Sequence, residues 1–435
     1  MELRVGELAH GGDGVAIASV DGDRRAVFVR GALPGERVVA DVDLSARPAR
    51  GTLVEILEPS RDRVAPPCPY VARCGGCDWM HITRISQPKF HGFIVRAHLP
   101  ANWRGLPMTA HPAAEGLRTR ARLHLRANKR GDVAVGFFAT GSHDVVEVDR
   151  CIALHPALDR ARAELSILLE GARGEGEADL ALGRVTDPDS ERKPVLDLKW
   201  DRDLPPAFFA RMEAATRAGA WQGARALVRD AKAPAVIGDP TPWIRGADGL
   251  PLSLAPGGFA QAAEVGNVML AKRVAELAES ALRNRESPTV VELFSGAGNF
   301  TVMLARTNAK VNAVESNAAS CEAARANLRR RNLTAKVTTA DADAYAIPSR
   351  ADLALLDPPR AGARGACEAI VKAKARRVIY VSCDAATLGR DLAILEAGSY
   401  APLSIETFEM FPDTSHVETV ISLEFLRPRK EKKKA

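Results

Sequence analysis

Short runs of apolar residues alternate with polar ones through the first 58 positions. Val38, Ala40 and Val42 interleave with Arg37, Val39 and Asp41, and residues 52–57 form a second β-prone run. Gly6, Gly11, Gly12, Gly14 and Gly22 punctuate these runs, and Pro34-Gly35 marks a turn. Several short strands between such turns predict a small barrel. Further on, Leu117, Thr119, Ala121, Leu123 and Leu125 alternate strictly with Arg118, Arg120, Arg122, His124 and Arg126, which predicts a strand with one apolar and one basic face. Residues 133–138, 144–148, 195–198 and 226–229 continue the strand pattern. Residues 171–183, rich in Gly and Ala, read as a loop. From Gln261 the period lengthens: Leu270, Val274, Leu277 and Ala281 lie at helical spacing. Apolar, β-branched runs then recur at 289–293, 310–315, 335–339, 353–356 and 377–381, with helical stretches between them. That rhythm is the signature of a doubly wound α/β domain. The pattern divides the chain into a barrel (1–58), a β-rich middle domain (59–240), an α/β domain (241–427) and a basic tail (428–435), with residues 243–256 an unassigned connector.

Composition narrows the function classes. The chain has 435 residues, 46% of them hydrophobic and 26% charged, with 60 Lys+Arg against 54 Asp+Glu. This is the make-up of an ordinary globular protein, and the modest basic excess permits a polyanionic partner without demanding one. No apolar leader opens the chain and no run of about 18 apolar residues occurs, so a cytoplasmic protein without membrane contact is expected. Seven cysteines in such a chain point to metal binding or catalysis rather than disulfides.

Three of them form the spacing Cys68-x5-Cys74-x2-Cys77 among Pro66, Pro67, Pro69, Gly75 and Gly76, with Cys151 the nearest candidate for a fourth ligand. Four thiolates suit an iron–sulfur cluster or tetrahedral zinc, and a single C-x-x-C pair tilts the choice toward iron–sulfur. The arginines at 118, 120, 122 and 126 would repel one another on one strand face, so they read as a phosphate-binding ribbon. Arg24, Arg25, Arg30, Arg47 and Arg50 decorate the barrel in the same sense.

In the α/β domain, residues 289–293 run into a glycine-rich turn, Phe294-Ser295-Gly296-Ala297-Gly298-Asn299-Phe300. It is neither a G-x-G-x-x-G nor a phosphate loop. Glu315 ends the next strand, where an acid can hold ribose hydroxyls, and Asp341 follows the third, within reach of an adenine amine. Two acids and little phosphate machinery suit S-adenosylmethionine better than NAD. Cys383 stands just past residues 377–381, at the strand end where ligands of an open parallel sheet bind.

Taken together, these motifs resemble the RNA uracil-C5 methyltransferases, in the branch that carries a TRAM barrel and an iron–sulfur cluster. The resemblance rests on the cysteine set, Phe259-Ala260-Gln261, residues 293–301, Leu356-Asp357-Pro358-Pro359-Arg360, Tyr380-Val381-Ser382-Cys383 and residues 411–418. It implies a class I methyltransferase fold, a 4Fe–4S cluster on Cys68, Cys74, Cys77 and Cys151, and donor contacts from Gln261, Phe294, Asn299, Glu315, Asp341 and Asp357. It further implies Cys383 as nucleophile, Glu418 as base and RNA as substrate, 23S rRNA ahead of tRNA, for a monomeric enzyme. One departure stands out: the family usually has Asn-Pro after the nucleophile, where this chain has Asp384-Ala385. A carboxylate there would raise the thiol pKa.

Overall fold

The structure is a computed structural model describing residues 1–20, 22–112, 116–185 and 191–426; the basic tail lies outside the described residues. At the N-terminus the strands Glu2–Leu8, Gly14–Val20, Asp23–Val29, Arg37–Asp43 and Ala49–Glu58 close into a barrel, joined in the order first, second, third, fifth, fourth. The alternation sends Leu3, Val5, Ala16, Val27, Val29, Val38 and Ala40 into its core. Closure removes the free edges that five short strands would otherwise expose.

The middle of the chain forms a seven-stranded sheet in the order Ala235–Gly238, Gly223–Val228, Pro194–Trp200, Glu175–Leu182, Arg120–Ala127, Val133–Phe138, Val145–Glu147. Helices Pro156–Leu168 and Pro206–Arg217 pack with it into one apolar core. Two expectations are corrected here. Residues 175–182 are not a loop but the central strand, with Ala178, Leu180 and Leu182 buried. Its Gly176 is a packing requirement, because an added Cβ would lie 2.2 Å from the Lys199 carbonyl oxygen and 2.6 Å from the Trp200 ring.

The second correction follows from the first. Glu175, Glu177 and Asp179 on this strand stand in register opposite Arg126, His124 and Arg122. Arg122 makes a two-pronged contact to Asp179, at 3.1 Å for each nitrogen, and Arg126 donates to Glu175 at 3.2 Å. Arg120 is drawn to the Gly258 carbonyl and Arg118 to that of Gly76. The basic face is a cross-strand ladder of opposite charges, not a free phosphate ribbon.

The C-terminal sheet has eight strands: Lys336–Thr339, Lys310–Glu315, Thr289–Leu293, Leu353–Leu356, Arg377–Ser382, Glu418–Phe425, Tyr400–Phe408 and Thr109–His111. The first five are mutually parallel, and Glu418–Phe425 runs antiparallel between its two neighbours. The chain reaches forward to complete this layer: Thr109–His111 supplies the edge strand, and helix Gln87–His98 packs on the sheet with Phe90, Ile94, Val95 and Leu99 among Leu356, Tyr380, Leu392 and Leu423. Each such side chain contributes about 1.5–3 kcal/mol on burial, so residues 87–111 are bound to the C-terminal layer. Helix Glu264–Leu282 covers the other face through Leu270, Val274 and Ala278. The connector becomes a two-stranded ribbon, Trp243–Arg245 and Pro251–Ser253. No helix among the described residues is long and apolar enough to cross a membrane.

Candidate active site

The sheet reverses direction of chain travel at Thr289–Leu293, whose neighbours lead on either side to different halves of the fold; ligands of doubly wound sheets bind at such a point. The turn after this strand passes through left-handed backbone at Phe294 (φ 61°), Gly296 (φ 53°) and Gly298 (φ 85°). Gly298 also lies against the helix Ala318–Arg330, where a Cβ would meet Ala324 at 3.2 Å, whereas Gly296 faces open space. Glu315 ties the turn to the next strand end: Oε2 accepts from the Gly296 N–H at 3.0 Å and Oε1 from the Asn317 N–H at 2.7 Å. Buried Asn327 donates to the carbonyls of Ala297 and Ser253, both at 2.9 Å, fixing turn and ribbon together.

Between turn and ribbon lies a pocket of about 70 Å³ whose lining includes Gln261, Phe294, Ser295, Gly296, Asn299 and Asp357. Four of the six expected donor-binding residues therefore share one wall. Glu315 stands behind Gly296. Asp341 is exposed past Lys336–Thr339, outside this pocket. Its neighbour Asp343 accepts from the Ala366 N–H at 2.9 Å, in the first turn of helix Arg364–Ala373, which leaves Asp341 as the exposed carboxylate at that strand end.

Cys383 and Glu418 are brought together by register. Ser382 pairs with Thr419 across antiparallel strands, so one further step sets Cys383 opposite Glu418. Glu418 is buried; its Oε1 accepts from Gln261 Nε2 at 3.4 Å, while its Oε2 and Gln261 Oε1 are buried without a partner. Each is a buried oxygen that an incoming donor could satisfy. Burial, then the proximity of Asp357, raises the Glu418 carboxyl above the ordinary carboxylate range, and burial does the same to Asp357. The Cys383 thiol is pushed up to about 12, by burial first and then by Glu418 and Asp357, with Arg360 working in the opposite sense. Asp384 adds only the weakest of these effects. It caps helix Ala385–Ala397 instead, accepting from the Thr387 N–H at 2.8 Å.

Comparison with known proteins now bears on this geometry. The family model described as tRNA (Uracil-5-)-methyltransferase matches residues 257–425. A Halomonas elongata protein named 23S rRNA (uracil(1939)-C(5))-methyltransferase RlmD is 35% identical, over 97% of this chain and 89% of its own. A protein of the same name from Chromohalobacter salexigens is 34% identical, over 98% and 90%. The chain belongs to the RNA uracil-C5 methyltransferases. The fold agrees: the Pyrococcus abyssi tRNA (uracil-54, C5)-methyltransferase, solved in complex with S-adenosyl-L-homocysteine, superimposes with a TM-score of 0.73 at 21% identity, over 97% of this chain and 100% of that one.

In this methyltransferase, residues that the sequence did not flag hold the catalytic loops. Helix Gln87–His98 grips the loop leading to Glu418. Gln87 Oε1 accepts from the Asp413 N–H at 2.9 Å, and buried His91 sits between Glu409 (2.8 Å) and the Thr414 carbonyl (3.1 Å). Asp78 accepts from the Ser415 N–H at 2.8 Å, and the Trp79 N–H donates to the Asp413 carbonyl at 2.9 Å. Arg360 contacts His416 Nε2 at 3.1 Å, and burial followed by Arg360 pushes that imidazole below its ordinary pKa. The available signal was a polar residue, His91, on the apolar face carrying Phe90, Ile94 and Val95. Beneath the Asp357–Arg360 loop, buried Asp391 accepts from the Tyr380 hydroxyl at 2.7 Å and the Ala363 N–H at 2.6 Å.

All four cysteines of the expected cluster line one pocket of about 30 Å³. The Gly76 N–H donates to Cys74 Sγ at 3.4 Å, and Arg118 Nη2 lies 3.6 Å from Cys77 Sγ. Burial pushes up the thiols of Cys74, Cys151 and Cys77, the last to about 11. Among the described residues, no three His, Cys, Asp or Glu side chains converge on a single metal ion.

Proposed function

We propose that this chain methylates carbon 5 of a uridine in 23S rRNA, with Cys383 as nucleophile and Glu418 as base. The observation that carries the reading is the cross-strand placement of Cys383 opposite a buried Glu418 with one unpartnered oxygen, beside a pocket walled by Gln261, Asn299 and Asp357. Its lining suits one part of S-adenosylmethionine, the rest extending out past the open side of Gly296: the unpartnered Gln261 and Ser295 oxygens offer polar contacts and Phe294 a ring for stacking. Glu315 and Asp341 at the neighbouring strand ends would take the ribose and adenine. When bound, the sulfonium supplies an electrophilic methyl group.

Uracil carbon 5 is too weak a nucleophile to take that methyl unaided. The Cys383 thiol gives its proton to solvent, the thiolate adds to carbon 6, and the carbon 5–carbon 6 electron pair shifts toward the ring carbonyl, making carbon 5 enolate-like. After carbon 5 gains the methyl, Glu418 removes its remaining proton and the carbon–sulfur bond breaks, restoring the aromatic ring and freeing Cys383. Burial keeps Glu418 basic enough for this step. A stacked base must be turned out of its helix to reach a thiol at a sheet end.

The 23S target is supported by the names of relatives 34–35% identical over most of their length. The barrel (1–58) and the middle sheet would grip the RNA, the α/β domain completed by residues 87–111 would hold the chemistry, and one chain acting as a cytoplasmic monomer supplies every site residue. The four thiols share one pocket, with an N–H and a guanidinium beside the sulfurs, and Cys68, Cys74, Cys77 and Cys151 would hold a 4Fe–4S cluster. The chemistry contains no electron transfer, so a cluster there would shape the fold. The test is mapping of 5-methyluridine in a strain lacking the gene. Loss of one methyl from 23S rRNA, restored by the wild-type gene and not by Cys383→Ala, is expected. Intact 23S methylation with loss from tRNA would move the substrate.

A further inference from the structure

The turn joining the first two barrel strands, Ala9–Asp13, reaches across the molecule and touches both catalytic loops. On the nucleophile side, His10 Nε2 lies 3.1 Å from Asp384 Oδ2, the residue immediately after Cys383. The other Asp384 oxygen is taken by Thr387, through its N–H at 2.8 Å and its hydroxyl at 2.9 Å, so His10 engages what the helix cap leaves free. The His10 ring packs edge-on against His98, 5.4 Å between centroids. His98 is itself in backbone contact with the helix that Asp384 caps, since a Cβ on Gly389 would lie 2.2 Å from the His98 carbonyl oxygen. On the base side, Gly12 (φ 86°) sits so close that a Cβ would lie 2.4 Å from Trp79 Nε1 and 2.8 Å from Ser415 Cβ, three residues before Glu418.

We infer that His10 is a positioning residue for the nucleophile: through Asp384 it fixes the loop carrying Cys383, so that the N-terminal barrel completes the active site of the methyltransferase domain. Two features argue for this over a mere domain contact. His10 takes the one Asp384 oxygen that the helix cap leaves free, so the carboxylate beside Cys383 is held from both sides. The same turn also abuts the loop ahead of Glu418, so one short segment sets the separation of nucleophile and base. A barrel displaced by its own RNA contacts would then displace Cys383, linking RNA engagement to chemistry.

The inference rests on Cys383 being the nucleophile, and a double-mutant cycle keeps the two claims apart. Single-turnover methyl transfer to a 23S rRNA fragment is measured at saturating RNA and S-adenosylmethionine for wild type, His10→Ala, Asp384→Ala and the double variant, with Cys383→Ala as control. His10→Ala is expected to slow transfer about tenfold with RNA and donor affinities unchanged. The double variant should be no slower than Asp384→Ala, because the pair acts as one unit. His10→Gln, which retains a nitrogen near the Nε2 position, should recover most of the rate. Multiplying losses in the double variant, or a His10→Ala defect confined to RNA affinity, would overturn the positioning role. Activity in Cys383→Ala would instead overturn the nucleophile assignment.

Discussion

Glu418 is buried and Cys383 half-buried, and the carboxylate makes the thiol beside it harder to ionise. The sign of the pH dependence follows. Glu418 must be deprotonated to act as base, and its carboxyl is raised, so the active form gains population as pH rises through a range well above that of an exposed glutamate. Cys383, pushed up to about 12, moves in the same direction. Single-turnover product release should therefore climb from pH 6 to pH 9 instead of levelling off near pH 5. A flat profile over that range would show that neither group limits the reaction. The place of Cys383 past a strand end was legible in the residues themselves, whereas Glu418 was singled out only through the family resemblance. Their proximity was not legible, since it depends on an antiparallel pairing between segments 35 residues apart. Asp384 shows the opposite limit: the sequence suggested a direct effect on the thiol, but the carboxylate is committed to a helix cap and to His10.

Elements were read well where a hydrophobic period was unbroken and badly where small residues concealed one. The strand Glu175–Leu182 has Gly, Ala and Glu where bulkier strands have Val or Ile, because Gly176 must accommodate Trp200. Reading it as a loop removed three acids from the strand face opposite the arginines, and the basic ladder then looked unopposed. Its register gives a specific consequence. Arg122→Ala deprives buried Asp179 of its closest partner, leaving Arg120 at 3.7 Å. Because the arginine is half exposed, the destabilisation should be about 1 kcal/mol, measured by thermal or urea unfolding. The log–log salt slope of RNA binding should change by less than about one unit. A full unit or more, with stability unchanged, would restore the phosphate-contact role to this residue.

Across the whole molecule the chain order and the spatial order differ. The segment 87–111 leaves the cysteine loop, packs on the C-terminal layer and completes its sheet before the middle sheet is built. Sequence reading divides a chain into consecutive blocks, so it could not see that this segment belongs to the later layer. Only the helix itself, with Gln87 and His91 on its apolar face, hinted at a long-range partner. The arrangement joins the cysteine pocket to the active site through consecutive residues: Cys77 lines the pocket, while Asp78 and Trp79 hold the loop ahead of Glu418. Anaerobically purified protein should be brown with about four irons per chain, and stripping the metal should lower its melting temperature. Colourless protein carrying a single zinc would contradict the cluster.

The covalent mechanism is tested most directly by Glu418→Gln, which keeps the shape of the base and removes its basicity. Cys383 can still attack and carbon 5 can still take the methyl, but elimination stalls. General-base loss typically slows a step about 10²–10⁴-fold. Incubation with a 23S rRNA fragment and S-adenosylmethionine labelled in its methyl group should therefore accumulate a protein–RNA adduct. That adduct should survive denaturing electrophoresis, carry the label, and vanish in the Cys383→Ala/Glu418→Gln double variant. A Glu418→Gln enzyme that turns over at the wild-type rate and leaves no adduct would contradict the assignment of Glu418 as the base.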